Sequence, residues 1–304
     1  MISGIFIEGL IYGIMVLGVF GTFRVLNFCD MTVDGSFPMG ACILAACLAK
    51  GLPVYTGMIL AFTGGLAAGL VTGLIYSKLH IPDLLAGILT MTMLYSINIR
   101  IMHNSSIYSY LGTRTLYDSI LEKTKAIFPS LVNTDWGFVA FLVIFVLVLK
   151  FAIDLFYHTD MGLTMGALGS NPQLIISQGV NPDLLRIIGI CFGNGMAALA
   201  GALFSMYAGS ADVSIGTGTI VSGLASLMLG EFVIRSNKIE LQTFRVLLGS
   251  CIYRALIILA RRYGRFIGLT ANDLKLITGI LIILCLIFSK LKIYKKRTGG
   301  AKND

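Results

Sequence analysis

Long apolar runs separated by short polar breaks repeat along the whole chain. A helix that crosses a bilayer needs about 20 consecutive, mostly apolar residues. On that measure the pattern predicts nine spans, near 4–23, 36–49, 55–77, 82–102, 136–157, 183–208, 216–234, 242–260 and 270–290. The alternating short strands of an outer-membrane barrel do not appear. The expected fold class is all-α, a polytopic transmembrane helical bundle in one domain covering 1–304. The second run is short for a span and follows the polar stretch from Asn27 to Pro38, which predicts a helix broken within the membrane.

Composition agrees with the pattern. Hydrophobic residues make up 56% of the chain and charged residues only 12%, against about 25% charged in an average soluble domain. So little polar surface cannot cover a water-soluble globule of this size. Disorder, collagen and a disulfide scaffold are excluded, and a soluble enzyme is disfavoured. The six cysteines sit mostly inside apolar runs, without a C-x-x-C pair, and read as small buried hydrophobes; no metal site is expected.

The formal charge of +8 is not a nucleic-acid footprint, because Lys290, Lys292, Lys295, Lys296, Arg297 and Lys302 crowd the end of the chain. A basic tail, 291–304, after an apolar run reads as a cytoplasmic anchor. With that tail inside, nine spans place the N-terminus outside. The charge bias is clear only in the tail, since Arg261 and Arg262 then fall outside. The first residues lack a basic n-region and a small-residue cleavage site, so no cleaved signal peptide is expected. The longest polar connection, 104–135, lies outside in this arrangement and reads either as a solvated cap or as a docking surface.

Three polar segments stand out. In the first, Asp30 and Asp34 lie between two apolar runs with no room for an extramembrane domain. Irregular backbone at membrane depth must be buried or line a cavity, and carboxylates there need a partner or water. The segment is therefore a pathway-lining break, or a short turn in which Asp34 or Ser36 caps the next helix. In the second, residues 161–186, Asn171-Pro172 is an N-cap followed by proline at the first helical position. Gly179 can close the short helix in a left-handed cap, and Asn181-Pro182 repeats the start signal. A short helix so framed suits either docking into a partner's groove or lying in the headgroups. The third segment, Tyr207–Ile220, is rich in glycine and hydroxyls and reads as a flexible loop or an outer gate.

Glycines at four-residue spacing, Gly65, Gly69 and Gly73, and Gly189 and Gly193 continued by Ala197 and Gly201, predict close helix packing. Of the charges in the apolar runs, Glu8, Arg100, Glu231, Arg254 and Asp273 lie within or near span ends, most of them close enough to an edge to snorkel or cap. Lys150 and Asp154 can pair at i,i+4. No phosphate-binding loop, dinucleotide fingerprint, zinc-binding H-E-x-x-H or nucleophile elbow is present. Uphill transport would draw its energy from a partner or an ion gradient.

The stretches GLIYGIMVLGVFGTFRVLNFCDMTVDGSFPMGA, GALGSNPQLIISQGVNPDLLRIIGI, ADVSIGTGTIVSGLASLMLGE and GLTANDLKLITGILIIL resemble the permease subunits of bacterial ABC importers. The type is that of branched-chain amino acid and ribose permeases, and within it the tryptophan- and tyrosine-linked subgroup. The resemblance spans about residues 4–290. It implies a bundle like those of vitamin B12 and ribose importers, in the bacterial plasma membrane, with a second permease copy forming one pathway. Two cytoplasmic ATP-binding subunits would bind ATP and Mg, and an extracytoplasmic solute-binding protein would deliver a small polar solute, such as an aromatic amino acid. No enzyme activity and no cofactor are implied for this chain. By the same resemblance Gly169, Ser170, Asn171, Pro172, Gln173 and Gly179 are the ATPase coupling contact, and Asn27, Asp30, Thr32, Asp34 and Ser36 line the pathway. The alternatives are an ion-coupled secondary transporter working alone, which would need paired half-helices in both halves of the chain, and a membrane scaffold. The segment at Asp30 and Asp34 has no evident mate in the second half of the sequence.

Overall fold

The computed structural model describes residues 2–110, 112–113, 115–127, 135–234, 236, 238–264, 276, 279–280 and 283. The expected span 270–290, apart from four isolated positions, and the basic tail 291–304 lie outside the described residues.

Among the described residues, eleven α-helices and two short strands follow one another. They are α1 (Ile2–Val19, continued by a π-helical turn, Phe20–Val25), α2 (Val33–Ala49), α3 (Val54–Leu79), α4 (Asp83–Ile101), β1 (Ile107–Ser109), α5 (Leu116–Ile127), α6 (Trp136–His158), α7 (Asp160–Ser170), α8 (Pro172–Ser177), α9 (Pro182–Ala208), β2 (Ser210–Asp212), α10 (Thr219–Val233) and α11 (Ile239–Gly264). A 3-10 turn, Val213–Gly216, precedes α10. Among the described residues seven helices are long and apolar enough to cross a membrane, and α2 is a shorter apolar helix. Large apolar side chains such as Ile59, Ile144, Phe151 and Leu155 stand exposed on α3 and α6, as lipid-facing surfaces require.

Helix ends follow the punctuation of the sequence. Pro53 and Pro82 precede α3 and α4 in extended conformation. His80 ends α3 and Gly209 ends α9, each at positive φ, the left-handed stop that releases the chain from a helix.

Helix α9 is the axis, with α1, α2 and α3 packed around it. The two glycine rows explain how. In α3, a Cβ on Gly65, Gly69 or Gly73 would run into α9 at Asn194, at Ile190 and Cys191, and at Ile187. In α9, Gly189 faces Leu26, Gly193 faces Thr22 and Gly18, and Gly201 faces the Phe37 carbonyl. One row thus admits α3 and the other takes the path of the chain from α1 into α2.

These contacts fix direction. Helix α1 runs antiparallel to α9, from Gly4 beside Tyr207 to Leu26 beside Gly189. After the bend at 26–32, α2 runs parallel to α9, with Ser36 at Asn194 and Gly40 at Ala198. Asn194 is near the middle of the 27-residue α9, so α2 starts part-way up the bundle. The break expected from the sequence is a real one.

The β1–β2 ribbon closes the end of the bundle where α9 finishes, pairing Ile107 with Asp212 and Ser109 with Ser210. At the same end α5 lies in the 104–135 connection. Tyr117 donates to Asp135 Oδ1 at 2.7 Å, and Ser3 to Oδ2 of the same carboxylate at 3.3 Å. Burial, with this carboxylate beside it, holds the Tyr117 phenol above its ordinary pKa. The opposite end carries α7, α8 and the start of α9.

Candidate functional site

The bend between α1 and α2 is built from backbone that has left the α-helix. The π-helical turn Phe20–Val25 ends α1; such turns recur where a helix must re-aim its chain. Leu26 N–H donates to Gly21 O at 3.1 Å, Phe28 N–H donates to Thr22 O at 2.9 Å, and Asn27 sits exposed at φ 53°.

Beyond it the polar side chains turn inward. Asp30 is 2% exposed, and Thr32 and Ser36 are fully buried. The Thr32 amide donates to Asp30 Oδ1 at 2.9 Å, and Asn194 Nδ2 donates to Oδ2 at 2.6 Å. Ser36 Oγ donates to Asn194 Oδ1 at 2.7 Å, and the hydroxyls of Thr32 and Thr72 meet at 2.7 Å. Asn194 also donates to the Ile190 carbonyl at 2.9 Å. Three predicted residues therefore share one knot with Thr72 of α3 and Asn194 of α9. A buried carboxylate is tolerable only with such partners. Sequence reading missed Asn194. Its signal was a lone carboxamide between two glycines in an apolar run, a residue type that joins helices inside a membrane.

Asp34 goes elsewhere. It lies in the first turn of α2, whose N-cap is Thr32 without a capping side-chain bond, so neither Asp34 nor Ser36 caps α2. The Asp34 carboxylate instead accepts from Gly218 N at 2.9 Å, Thr219 Oγ1 at 2.8 Å and Ile220 N at 2.7 Å. It satisfies the first turn of α10, whose N-cap Gly218 has φ 80° and no side chain to do so. Pro38 gives no N–H to the Asp34 carbonyl, and that carbonyl is the atom a Cβ on Gly216 would strike. The starts of α2 and α10 therefore meet on one side chain. The third polar segment folds as β2 and the 3-10 turn and brings the start of α10 to that carboxylate.

At the hairpin end the caps expected from the sequence are present. Asn171 accepts from Leu174 N at 3.4 Å to open α8, Gly179 sits at φ 75°, and Asn181 accepts from Asp183 N at 2.9 Å to open α9. Helix α7, over glycine-rich sequence, was not expected; Thr159 caps it through Gly162 N at 3.3 Å. Ser170, Asn171, Pro172, Gln173, Leu174, Ile176 and Gly179 are exposed, Gly169 is half-buried, and Ile175 is buried. The hairpin presents one face outward and anchors the other.

Of the charges in the apolar runs, Glu8, Glu231 and Arg254 are paired across helices rather than left to snorkel, Arg100 stands exposed at the end of α4, and Asp273 lies outside the described residues. Glu231 of α10 bonds Arg24 and Arg245, each at 3.0 Å. Glu8 of α1 meets Arg254 of α11 at 3.4 Å, and that guanidinium lies 3.2 Å over the Tyr12 ring. Lys150 bonds Asp154 at 2.5 Å, as the i,i+4 spacing implies, and Thr243 of α11 donates to Asp154 Oδ1 at 2.6 Å.

The family model "Branched-chain amino acid transport system / permease component" matches residues 1–286. The chain belongs to this family. The permease is 37% identical over 299 residues to the "Tyrosine transport system permease protein" of Clostridioides difficile, covering 98% of this chain and 95% of that one. It is 30% identical over 272 residues to an uncharacterized protein of Rickettsia prowazekii, covering 90% and 91%. It is also 25% identical over 202 residues to the autoinducer 2 import system permease of Salmonella typhimurium, covering 66% and 54%. As an ABC permease the chain is a non-enzymatic, multi-pass membrane component, and ATP is handled by a partner ATPase. The absence of any nucleotide motif from the sequence follows from that division of labour.

Proposed function

We propose that this permease forms the membrane pathway of an ATP-driven importer for a small polar solute, an amino acid with an aromatic side chain. The tyrosine transport relative, alike over nearly its whole length, supports that solute class. In this reading a second copy of the chain completes the pathway in the bacterial plasma membrane. An extracytoplasmic binding protein delivers solute at the β1–β2 end, and the ATPase binds at the α7–α8 end, with the basic tail on the same side. A ninth span over 270–290, in a bundle like those of vitamin B12 importers, would bring the tail there.

The observation that carries the reading is the hairpin. Exposed Leu174 and Ile176, 46% and 52% accessible, stand on a helix capped by Asn171 at its start, released at Gly179 after its end, and anchored through Ile175. An apolar ridge on a rigid, capped mount suits docking into a groove of a soluble partner. Replacing Asn171 and Pro172 together by alanine is expected to lower uptake by about tenfold or more and to weaken ATPase co-purification, while the bundle's thermal midpoint barely changes. Unchanged association and unchanged uptake would remove the assignment. Uptake by the purified chain on a proton or sodium gradient, with no ATPase present, would favour the secondary transporter.

Asn27, Asp30, Thr32, Asp34 and Ser36 are proposed to border the pathway where the two helix starts meet. Three of them are sealed in the described conformation, so access must change with the transport cycle. In a background without native cysteines, Asn27→Cys is expected to react with a water-soluble thiol reagent at once. Thr32→Cys and Ser36→Cys are expected to react only during turnover with ATP, and protection in every nucleotide state would assign those two a packing role alone.

A further inference from the structure

The hairpin meets the bend through a close backbone approach at Gly169 and through a shared set of apolar side chains. A Cβ on Gly169 of α7 would collide with the Val25 carbonyl oxygen and lie 3.3 Å from the carbonyl carbon of Leu26. Two turns into α9, a Cβ on Gly189 would collide with Leu26 Cδ1 and lie 3.8 Å from Met165 Cε. Around these contacts Leu26, Phe28, Met165, Leu168, Ile175, Leu185 and Ile190 form an apolar cluster separate from the main core. Bend, α7, α8 and the start of α9 all contribute to it. Phe28 also packs edge-on to Tyr76 of α3 at 5.1 Å.

We propose that the α7–α8 hairpin and the Val25–Phe28 bend move as one rigid unit, with Gly169, Leu26 and Gly189 as positioning residues that carry hairpin displacement to the Asp30–Asn194–Ser36 knot. The proposal rests on the reading of the hairpin as the ATPase contact. Its physical basis is stiffness: close-packed atoms transmit displacement rather than absorb it. The knot begins two residues beyond Phe28, at Asp30, and four residues along α9 from Ile190, at Asn194, so the unit reaches it along two strands of chain. A cavity of about 440 Å³ lies beside the unit, bordered by the end of α1, α6, α7 and α11 and lined by Phe20, Arg24, Val25, Tyr157, Leu163 and Ile239 among others. It leaves the unit room to shift without repacking the core.

The test uses the assembled transporter, permease with its ATPase and binding protein, in proteoliposomes. In a background without native cysteines, Leu26→Cys with Met165→Cys is bridged by a short bifunctional maleimide. Uptake within about twofold of the unbridged protein is expected if hairpin and bend travel together; loss of uptake on bridging, with the ATPase still bound, overturns the rigid unit. Separately, Gly169→Ala is expected to lower uptake about tenfold while ATPase binding and basal hydrolysis persist. Gly166→Ala, one turn earlier in α7 with open space at its Cβ position, should leave uptake unchanged. Normal uptake by Gly169→Ala overturns the role given to that contact, and should the variant misfold, the bridged pair, which adds no bulk at the glycine, still decides. ATPase binding by the unmodified chain, measured in the same preparations, tests the functional reading by itself; its absence removes that reading and this proposal together.

Discussion

Asn194→Leu is expected to destabilise the protein in detergent by about 3–5 kcal/mol, the cost of stranding a buried charge. The carboxamide is completely buried and holds three groups at once: it donates to Asp30 and to the Ile190 carbonyl and accepts from Ser36. Leucine has nearly the same volume and fits an apolar helix, so packing alone predicts little change. What it cannot do is hydrogen-bond. Asp30, 2% exposed, would keep the Thr32 contact but lose the donor on its other oxygen, and Ser36 would lose its acceptor. Adding Asp30→Asn should recover part of the loss, because a neutral carboxamide costs less to bury than a carboxylate. Chemical denaturation of the three variants measures this as a cycle. An Asn194→Leu protein within about 1 kcal/mol of the parent would show that the knot is incidental to stability.

Gly40→Val is expected to prevent the bundle from assembling, or to cost about 3 kcal/mol or more by overpacking. A Cβ at Gly40 would collide with the Ala198 carbonyl oxygen, and nearby a Cβ at Gly201 would collide with the Phe37 carbonyl oxygen. Helices α2 and α9 thus meet backbone to backbone from both sides. Between apolar helices in lipid such close approach is a main source of association, since no hydrophobic force separates the helix from its solvent. The obstructing atoms are main-chain atoms, which cannot rotate aside. Gly40→Ala should show a smaller loss of the same kind, and Gly166→Ala none. The yield of monodisperse protein and its thermal midpoint report the difference. A fully stable Gly40→Val would mean that α2 and α9 can separate freely.

The hairpin was readable in the sequence because its signals are local. Asn171-Pro172, Gly179 and Asn181-Pro182 act on backbone groups no more than a turn away, and each does so in the structure. Helix α7 was not readable, because three glycines in ten residues argue against a helix. Its packing decides otherwise, and Gly162 and Gly169 are the positions where α7 meets other backbone. The same limit applies to the candidate pathway. The sequence shows that the bend is polar and interrupts the apolar pattern, but not which side chains face one another. A cap for its own helix is one role the sequence allows Asp34, and it caps instead a helix that starts 185 residues later.

By itself the sequence determined that this chain is a bundle of membrane helices with a break after the first and a capped turn before the helix at 183–208. Hydropathy acts along a run of residues and capping within a turn, so both are written in contiguous sequence. Only the tertiary structure decided that Asp30 belongs to Asn194, Asp34 to α10 and Gly169 to Val25. In a membrane interior a polar group must find its partner within the protein, and these partners lie 144 to 186 residues apart along the chain, where no local pattern records them.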